Sequence, residues 1–126
     1  MKNEADLIIL AAGKSERFGA LKGFAKINNS PLLESAINLH QNNFTGKTIV
    51  VYSTFSKEYK IKFSHQYSTV NFIKNYNPEN GPFSSLQEGL KISSTRFTFI
   101  LPVDCPCREL NTWKILHNES LNSNHL

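Results

Sequence analysis

A chain of 126 residues has the size of one domain and is long enough to bury a core. Its hydrophobic content of 40% is typical of a globular protein, and its net charge of +4 favours an anionic partner such as a nucleotide. No apolar run approaches the roughly 20 residues that a membrane span needs, and residues 1–6 are too polar for a signal peptide. We therefore expect a cytoplasmic protein that requires neither a membrane nor nucleic acid.

Strand and helix patterns alternate along the chain. Leu7 to Ala11 is an aliphatic run that predicts a strand buried on both faces, and the next segment predicts a helix with Ser30 as N-cap and Pro31 at its first position. The later patterns predict strands over 47–53, 68–75 and 96–104, and helices over 56–66, 82–93 and 108–119. This alternation predicts a three-layer α/β/α sandwich with a mainly parallel sheet, in one domain over residues 1–118 with a flexible polar tail over 119–126.

The loop after the first predicted strand contains Gly-Lys-Ser but neither of the two familiar phosphate-binding motifs. A P-loop needs glycine where Ile8 stands, and a dinucleotide fingerprint needs glycine where Ala11 and Glu16 stand. The strand nevertheless ends in Ala-Ala-Gly, and such small residues let a phosphate approach backbone N–H groups. Arg17 offers a planar fork and Lys22 a mobile positive charge. The loop is thus either a phosphate site or an ordinary turn between strand and helix.

Asp104 closes the last predicted strand. The usual right-handed crossovers put that strand beside the first one, so Asp104 and the basic loop would face each other across one crevice. Asp104 is either an N-cap of the following helix or a ligand of Mg²⁺ that bridges to nucleotide phosphates on Arg17 and Lys22. The pairing of a basic loop with a carboxylate favours the magnesium site.

The two cysteines, Cys105 and Cys107, do not predict a metal site. Only Pro106 separates them, and the four histidines show no ligand spacing. We expect buried or half-buried thiols in a reducing cytoplasm.

Four motifs, in this order, resemble those of the MobA-like nucleotidyltransferases with a GT-A type fold, which include the enzymes that attach GMP or CMP to the molybdenum cofactor. The motifs are LAAGKSERFGALK at 10–22, INNSPLLE at 27–34, NPENGPFSSLQEGL at 77–90 and PVDCP at 102–106. Asn29 stands where the family's Asn-Gly-x-Pro turn has glycine, a mild change because Asn tolerates a positive φ. The resemblance covers nearly the whole chain.

The resemblance implies a Rossmann-like nucleotide-binding half of that fold and a Mg²⁺-dependent transfer of a nucleoside monophosphate, from CTP or GTP, to a phosphate-bearing acceptor such as the molybdenum cofactor. Arg17, Lys22 and Asp104 would be catalytic, with Mg²⁺ on Asp104. The implied nucleotide-binding residues are Leu10, Ala11, Ala12, Gly13, Ser15, Arg17, Lys22, Gly81 and Ser85. Positioning and charge neutralisation do most of such catalysis, and a phosphate acceptor that is already ionised needs no general base.

Three questions stay open at this stage. The loop sequence Ala-Ala-Gly, with Ala12 at its centre, resembles that of cytidylyl-transferring members. The Gly81-Pro82 pair resembles guanylyl-transferring members, so CTP and GTP both remain candidates. Family members are longer, so the sequence belongs to a short or degenerate member, to a piece of a longer protein, or to an assembly such as a homodimer in which another chain completes the sheet. The alternative functions are a catalytically incomplete nucleotide-binding remnant and a small phosphosugar-binding module.

Overall fold

A computed structural model describes residues 3–13, 21–27, 29–105 and 109–122. The strands are β1 (Asn3–Glu4), β2 (Asp6–Leu10), β3 (Lys26–Ile27), β4 (Ser30–Pro31), β5 (Phe44–Thr45), β6 (Thr48–Tyr52), β7 (Val70–Lys74) and β8 (Thr98–Pro102). The helices are α1 (Leu32–Asn43), α2 (Lys57–Phe63), α3 (Pro82–Leu90) and α4 (Leu110–Asn122).

The main sheet has four parallel strands in the order β7-β6-β2-β8. Ile8 in the middle of β2 pairs with Ile49 of β6 on one side and with Ile100 of β8 on the other. All five residues of β6 are buried, as expected for an apolar run inside a parallel sheet. The four predicted strands are confirmed, and so is the predicted place of the last strand beside the first.

Helices cover both faces of this sheet. On one face Leu33 of α1, Phe63 of α2 and Trp113 of α4 share a core with alternate residues of β2, β6 and β8. On the other face Leu86 of α3 packs against a smaller cluster that includes Ile8. The predicted three-layer α/β/α sandwich is confirmed.

The start of α1 differs from the sequence prediction. Ser30 does not cap the helix: it pairs with Ile27 in a short antiparallel ladder, and Pro31 is extended, with φ −58° and ψ 144°. The helix therefore begins at Leu32 without a side-chain cap. Asn29 adopts a φ of +67°, which confirms that Asn is tolerated in this turn, at the position where the MobA-like motif has glycine.

The C-terminal helix is longer than its predicted end at residue 119. It continues to Asn122, into the segment that we expected to be a loose tail, and residues 123–126 lie outside the described part. Within the described ranges, no helix combines the length and the apolar character needed to cross a membrane.

A buried carboxylate fastens the amino-terminal edge of the sheet. Asp6 Oδ1 accepts the N–H of Lys47 at 2.7 Å, while Oδ2 accepts the N–H groups of Ser94 at 2.6 Å and Thr95 at 3.2 Å. Burial raises the pKa of Asp6, but these backbone N–H groups, helped by Ser93, lower it below the usual value of 3.8. Asp6 is thus a structural anion that ties β2 to the turn before β6 and to the loop before β8.

A buried histidine on α1 is neutral. His40 Nε2 donates to the carbonyl of Ala5 at 2.6 Å, so Nδ1 accepts from the hydroxyl of Thr48, also at 2.6 Å. Burial lowers the pKa of His40 from its usual 6.5, against the opposing effects of the Ala5 carbonyl and the Asp6 charge. His40 therefore supports the fold in its uncharged form.

The expectation of buried thiols is wrong for Cys105. This side chain is exposed because it lies on the turn after β8, where its N–H donates to the carbonyl of Pro102 at 3.1 Å. Cys107 lies outside the described residues.

Candidate functional site

A cavity of about 380 Å³ opens at the carboxyl ends of β2 and β8. In open α/β sheets this edge is where ligands bind. The lining residues are Leu10, Ala11, Ala12, Gly13, Lys22, Tyr59, Pro78, Gly81, Pro82, Ser85, Pro102, Val103 and Asp104.

The cavity brings together every predicted site residue that the structure describes. These residues are Leu10, Ala11, Ala12, Gly13, Lys22, Gly81, Ser85 and Asp104. Ser15 and Arg17 lie outside the described residues. The sequence analysis missed Tyr59, three prolines and Val103.

The small residues that follow β2 line the cavity. The N–H of Ala11 continues the sheet by donating to Val51 at 2.8 Å, and the carbonyl of Ala12 accepts from the buried Ser53 hydroxyl at 2.6 Å. No described residue accepts a hydrogen bond from the N–H of Ala12 or of Gly13. Among the described residues, the N–H groups of Ala12 and Gly13, unlike that of Ala11, are thus candidate donors to phosphate oxygens.

Lys22 and Asp104 face each other in the cavity, with Nζ 3.3 Å from Oδ2. Their side chains are 38% and 44% exposed, so the pair contributes at most about 1 kcal/mol to stability and a ligand can displace either partner. Asp104 lies on a turn that continues β8, and α4 begins only at Leu110. The alternative role of Asp104 as the N-cap of that helix is therefore excluded.

A buried amide orders the wall opposite the basic loop. Asn75 Nδ2 donates to the hydroxyls of Ser84 at 2.9 Å and Ser85 at 3.0 Å, and Oδ1 accepts the N–H of Asn77 at 2.9 Å. Ser84 in turn donates to the carbonyl of Gly81 at 2.6 Å. This network fixes both predicted residues of the wall, Gly81 and Ser85, through an amide that sequence analysis did not single out.

Gly81 has a backbone conformation that only glycine adopts readily. Its φ of +89° and ψ of 177° join the turn at Pro78–Asn80 to the first residue of α3. A β-carbon at this position would meet nothing within 4 Å. Glycine is thus required at position 81 by the backbone conformation and not by a lack of space for a side chain.

Tyr59 of α2 forms the floor of the cavity and lies almost completely inside the protein. Its Oη accepts the N–H of Gly23 at 2.6 Å. Burial raises the pKa of Tyr59 to about 12; the Gly23 hydrogen bond opposes this shift, and the charge of Asp104 adds to it. The hydroxyl is therefore neutral at physiological pH and is not a base.

The described residues fit a magnesium ion that arrives with a nucleotide. Asp104 is the one carboxylate among the described cavity residues, and in the described ranges no cluster of three or more His, Cys, Asp or Glu side chains could hold a metal. Mg²⁺ typically binds one or two carboxylates together with substrate phosphates and waters, and has no need of an all-protein cage. Asp104 is the described residue that could supply the protein part of such a site.

Family comparison agrees with this geometry. The family described as MobA-like NTP transferase domain matches residues 7–125. The chain belongs to this family. The match includes all the described cavity residues together with Ser15 and Arg17.

Solved structures share the fold over most of this chain. Rv0371c from Mycobacterium tuberculosis H37Rv superposes with a TM-score of 0.73 at 14% identity, over 95% of this chain and 61% of its own. For 4-diphosphocytidyl-2C-methyl-D-erythritol synthase the TM-score is 0.71 at 15% identity, over 98% of this chain and 56% of its own. For the inositol-1-phosphate CTP transferase from T. maritima it is 0.62 at 14% identity, over 82% of this chain and 44% of its own. The chain thus spans about half the length of proteins whose fold it shares.

Proposed function

We propose that this MobA-like domain is a Mg²⁺-dependent nucleotidyltransferase that moves a nucleoside monophosphate from CTP or GTP to a phosphate-bearing acceptor and releases pyrophosphate. One observation carries the proposal: the Lys22 ammonium and the Asp104 carboxylate, 3.3 Å apart, lie in one cavity with the small residues Ala12 and Gly13 at the carboxyl ends of β2 and β8. The name of the T. maritima CTP transferase, whose fold is similar, supports CTP as the first nucleotide to test. We place the reaction in the cytoplasm, with a molybdenum-cofactor-like compound as one acceptor to test.

The residues of the cavity divide the work of binding a triphosphate. The N–H groups of Ala12 and Gly13 donate to phosphate oxygens, and Lys22 adds a mobile positive charge beside them. Asp104 would hold Mg²⁺, which supplies further positive charge to the phosphates. The hydroxyl of Ser85 accepts from Asn75 and so keeps its own hydrogen for the ribose or the base.

Transfer then requires orientation more than proton movement. An acceptor phosphate oxygen forms a bond to the α-phosphorus while the bond from that phosphorus to the bridging oxygen breaks, and the electron pair leaves with pyrophosphate. Lys22 neutralises part of the negative charge of the phosphates. The acceptor oxygen is ionised before the reaction, so neither of the neutral groups Tyr59 and Ser85 has to act as a base.

The test measures binding and transfer separately. Calorimetric titration with CTP and with GTP, in excess Mg²⁺ and in EDTA, is expected to show saturable binding of at least one nucleotide that weakens without Mg²⁺. Addition of phosphomonoester acceptors is then expected to release pyrophosphate. Absence of binding by both nucleotides would contradict the proposal.

The same experiment separates two other functions. Asp104 is the only described carboxylate in the cavity, which is the observation that favours a nucleotide-binding domain without catalysis. Such a domain would bind CTP or GTP with Mg²⁺ and release no pyrophosphate with any acceptor. A phosphosugar-binding module would bind its ligand equally well in EDTA.

The metal assignment predicts the behaviour of Asp104→Asn. The amide keeps the shape but loses the charge that Mg²⁺ prefers, so the difference in nucleotide affinity between Mg²⁺ and EDTA should become smaller. The melting temperature should change little because the pair with Lys22 is half exposed. Glu88→Gln is the matched control: it removes a carboxylate that pairs with a lysine at 2.8 Å on α3. A Mg²⁺ effect in Asp104→Asn that equals that of wild type would exclude Asp104 as a ligand.

A further inference from the structure

Gly23, the residue after Lys22, is enclosed on two sides. A β-carbon at Gly23 would lie 2.6 Å from Tyr59 Oη and 2.7 Å from Val103 Cγ2, closer than real contacts allow. Lys22 precedes the enclosed glycine, and Asp104 follows the valine that encloses it. The backbones that carry the two charged groups of the cavity are therefore packed together through Gly23.

Tyr59 is the fixed member of this arrangement. Its ring is buried and packs against Phe24, with the two ring centroids 4.9 Å apart. The short bond from the Gly23 N–H to Tyr59 Oη is the hydrogen bond that connects the Lys22 segment to α2. The hydroxyl stays neutral because burial keeps its pKa near 12. Tyr59 thus offers the loop a permanent acceptor at an almost fixed position.

We propose that Tyr59 is a positioning residue, whose hydroxyl holds the Gly23 N–H and thereby keeps the Lys22 ammonium beside Asp104, where a nucleotide–magnesium complex binds. The inference rests on the proposed function for the identity of the ligand. It assigns to α2 a role in the site that the sequence analysis does not indicate. Tyr59 itself transfers no proton.

The test compares Tyr59→Phe with Tyr67→Phe. Tyr67 is a matched control because it lies on the same side of the sheet, contacts Phe63, and donates its hydroxyl to Glu34 at 2.8 Å, on α1 and outside the cavity lining. Each substitution removes one hydroxyl and keeps the ring. Both proteins are compared with wild type by hydrogen exchange of the Gly23 amide and by titration with CTP and GTP in Mg²⁺.

The positioning role predicts a change in both measurements for Tyr59→Phe alone. Exchange of the Gly23 amide should become about tenfold faster or more, and affinity for the nucleotide–magnesium complex should fall about tenfold. Tyr67→Phe should leave both values as in wild type. Gly23→Ala disturbs the same contact, because its β-carbon would lie 2.6 Å from Tyr59 Oη, and it should also weaken nucleotide binding. It replaces Tyr59→Phe in the test if that variant does not fold.

The other outcomes overturn the inference in distinguishable ways. Faster Gly23 exchange with unchanged nucleotide affinity would show a structural hydrogen bond without a role in binding. Equal losses of affinity in the two phenylalanine variants would show general destabilisation. If wild type binds neither nucleotide, the proposed function fails and the positioning role fails with it; if wild type binds and Tyr59→Phe binds equally, the positioning role alone fails.

Discussion

Replacement of Lys22 by methionine separates ligand binding from stability. The change removes the ammonium and keeps the length of the side chain. A charge-assisted hydrogen bond to phosphate contributes about 1.5 to 3 kcal/mol, so affinity for CTP or GTP should fall by about tenfold to about 150-fold. Stability should respond much less, because the pair with Asp104 has a 3.3 Å separation and side chains that are 38% and 44% exposed. Such a pair contributes at most about 1 kcal/mol, which corresponds to a melting shift below about 5 °C.

The assay is calorimetric titration in excess Mg²⁺, with Lys91→Met as control. Lys91 pairs with Glu88 at 2.8 Å on α3 and does not line the cavity, so its loss removes the same charge and a comparable ion pair elsewhere. The control is expected to bind like wild type. Equal affinity in wild type and Lys22→Met would remove Lys22 from the phosphate site. An equal loss in both variants would mean that net charge, and not the position of Lys22, governs binding.

Three predictions concern the scaffold. Gly81→Ala should lower the free energy of unfolding by about 1 to 3 kcal/mol, because alanine is strained at a φ of +89°. Gly13→Ala is the control: a β-carbon there also has open space, and the free energy of unfolding should change little. Equal urea midpoints for the two variants would contradict backbone strain at Gly81. Asp6→Asn should lower the free energy of unfolding by about 1.5 to 3 kcal/mol. The two carboxylate oxygens of Asp6 accept backbone N–H groups, whereas the asparagine amide has only one oxygen that can accept them. Because the pKa of Asp6 is lowered on folding, its charge stabilises the fold above pH 3.8, and this contribution is lost as pH falls through the pKa of the folded state. Wild type and Asp6→Asn should therefore differ in how their stability depends on acid pH, and identical slopes for the two would contradict this. The pKa of His40 is lowered from 6.5 on folding, so the unfolded state binds a proton at a higher pH than the folded state does. The free energy of unfolding should therefore be highest above pH 6.5 and decline below it. Constant urea midpoints between about pH 7.5 and about pH 5.5 would contradict this.

The main sheet could be predicted because its two central strands, β2 and β6, are apolar runs buried on both faces. Every residue of β6 is buried, and β2 is buried up to Leu10, which is the pattern that a parallel sheet requires. The four two-residue strands could not be predicted, because two residues carry no period. The start of α1 was misassigned because Ser30 pairs with Ile27 across the turn at Asn29, and this local pairing replaces the N-cap that Ser often forms.

Much of the cavity could be predicted because parallel strands bring their carboxyl ends to one edge of the sheet. Gly13 follows β2 and Asp104 follows β8, so adjacency of the strands places the two in one cavity. Tyr59 could not be predicted, since its hydrogen-bond partner Gly23 is 36 positions away, in a short 3-10 turn at Lys22–Phe24. Asn75 was missed because its role depends on hydroxyls of α3 that approach it only in the folded chain.

The central claim is that the cavity at the ends of β2 and β8 binds a nucleoside triphosphate together with a divalent metal ion. Paramagnetic broadening of backbone amide signals tests it most directly, with Mn²⁺ in place of Mg²⁺ and CTP or GTP present. The account predicts selective broadening at Gly13, Ser85 and Asp104, which line the cavity, while Gly46 at the opposite edge of the sheet stays sharp. Broadening centred away from the cavity, or a spectrum that the nucleotide leaves unchanged, would contradict it.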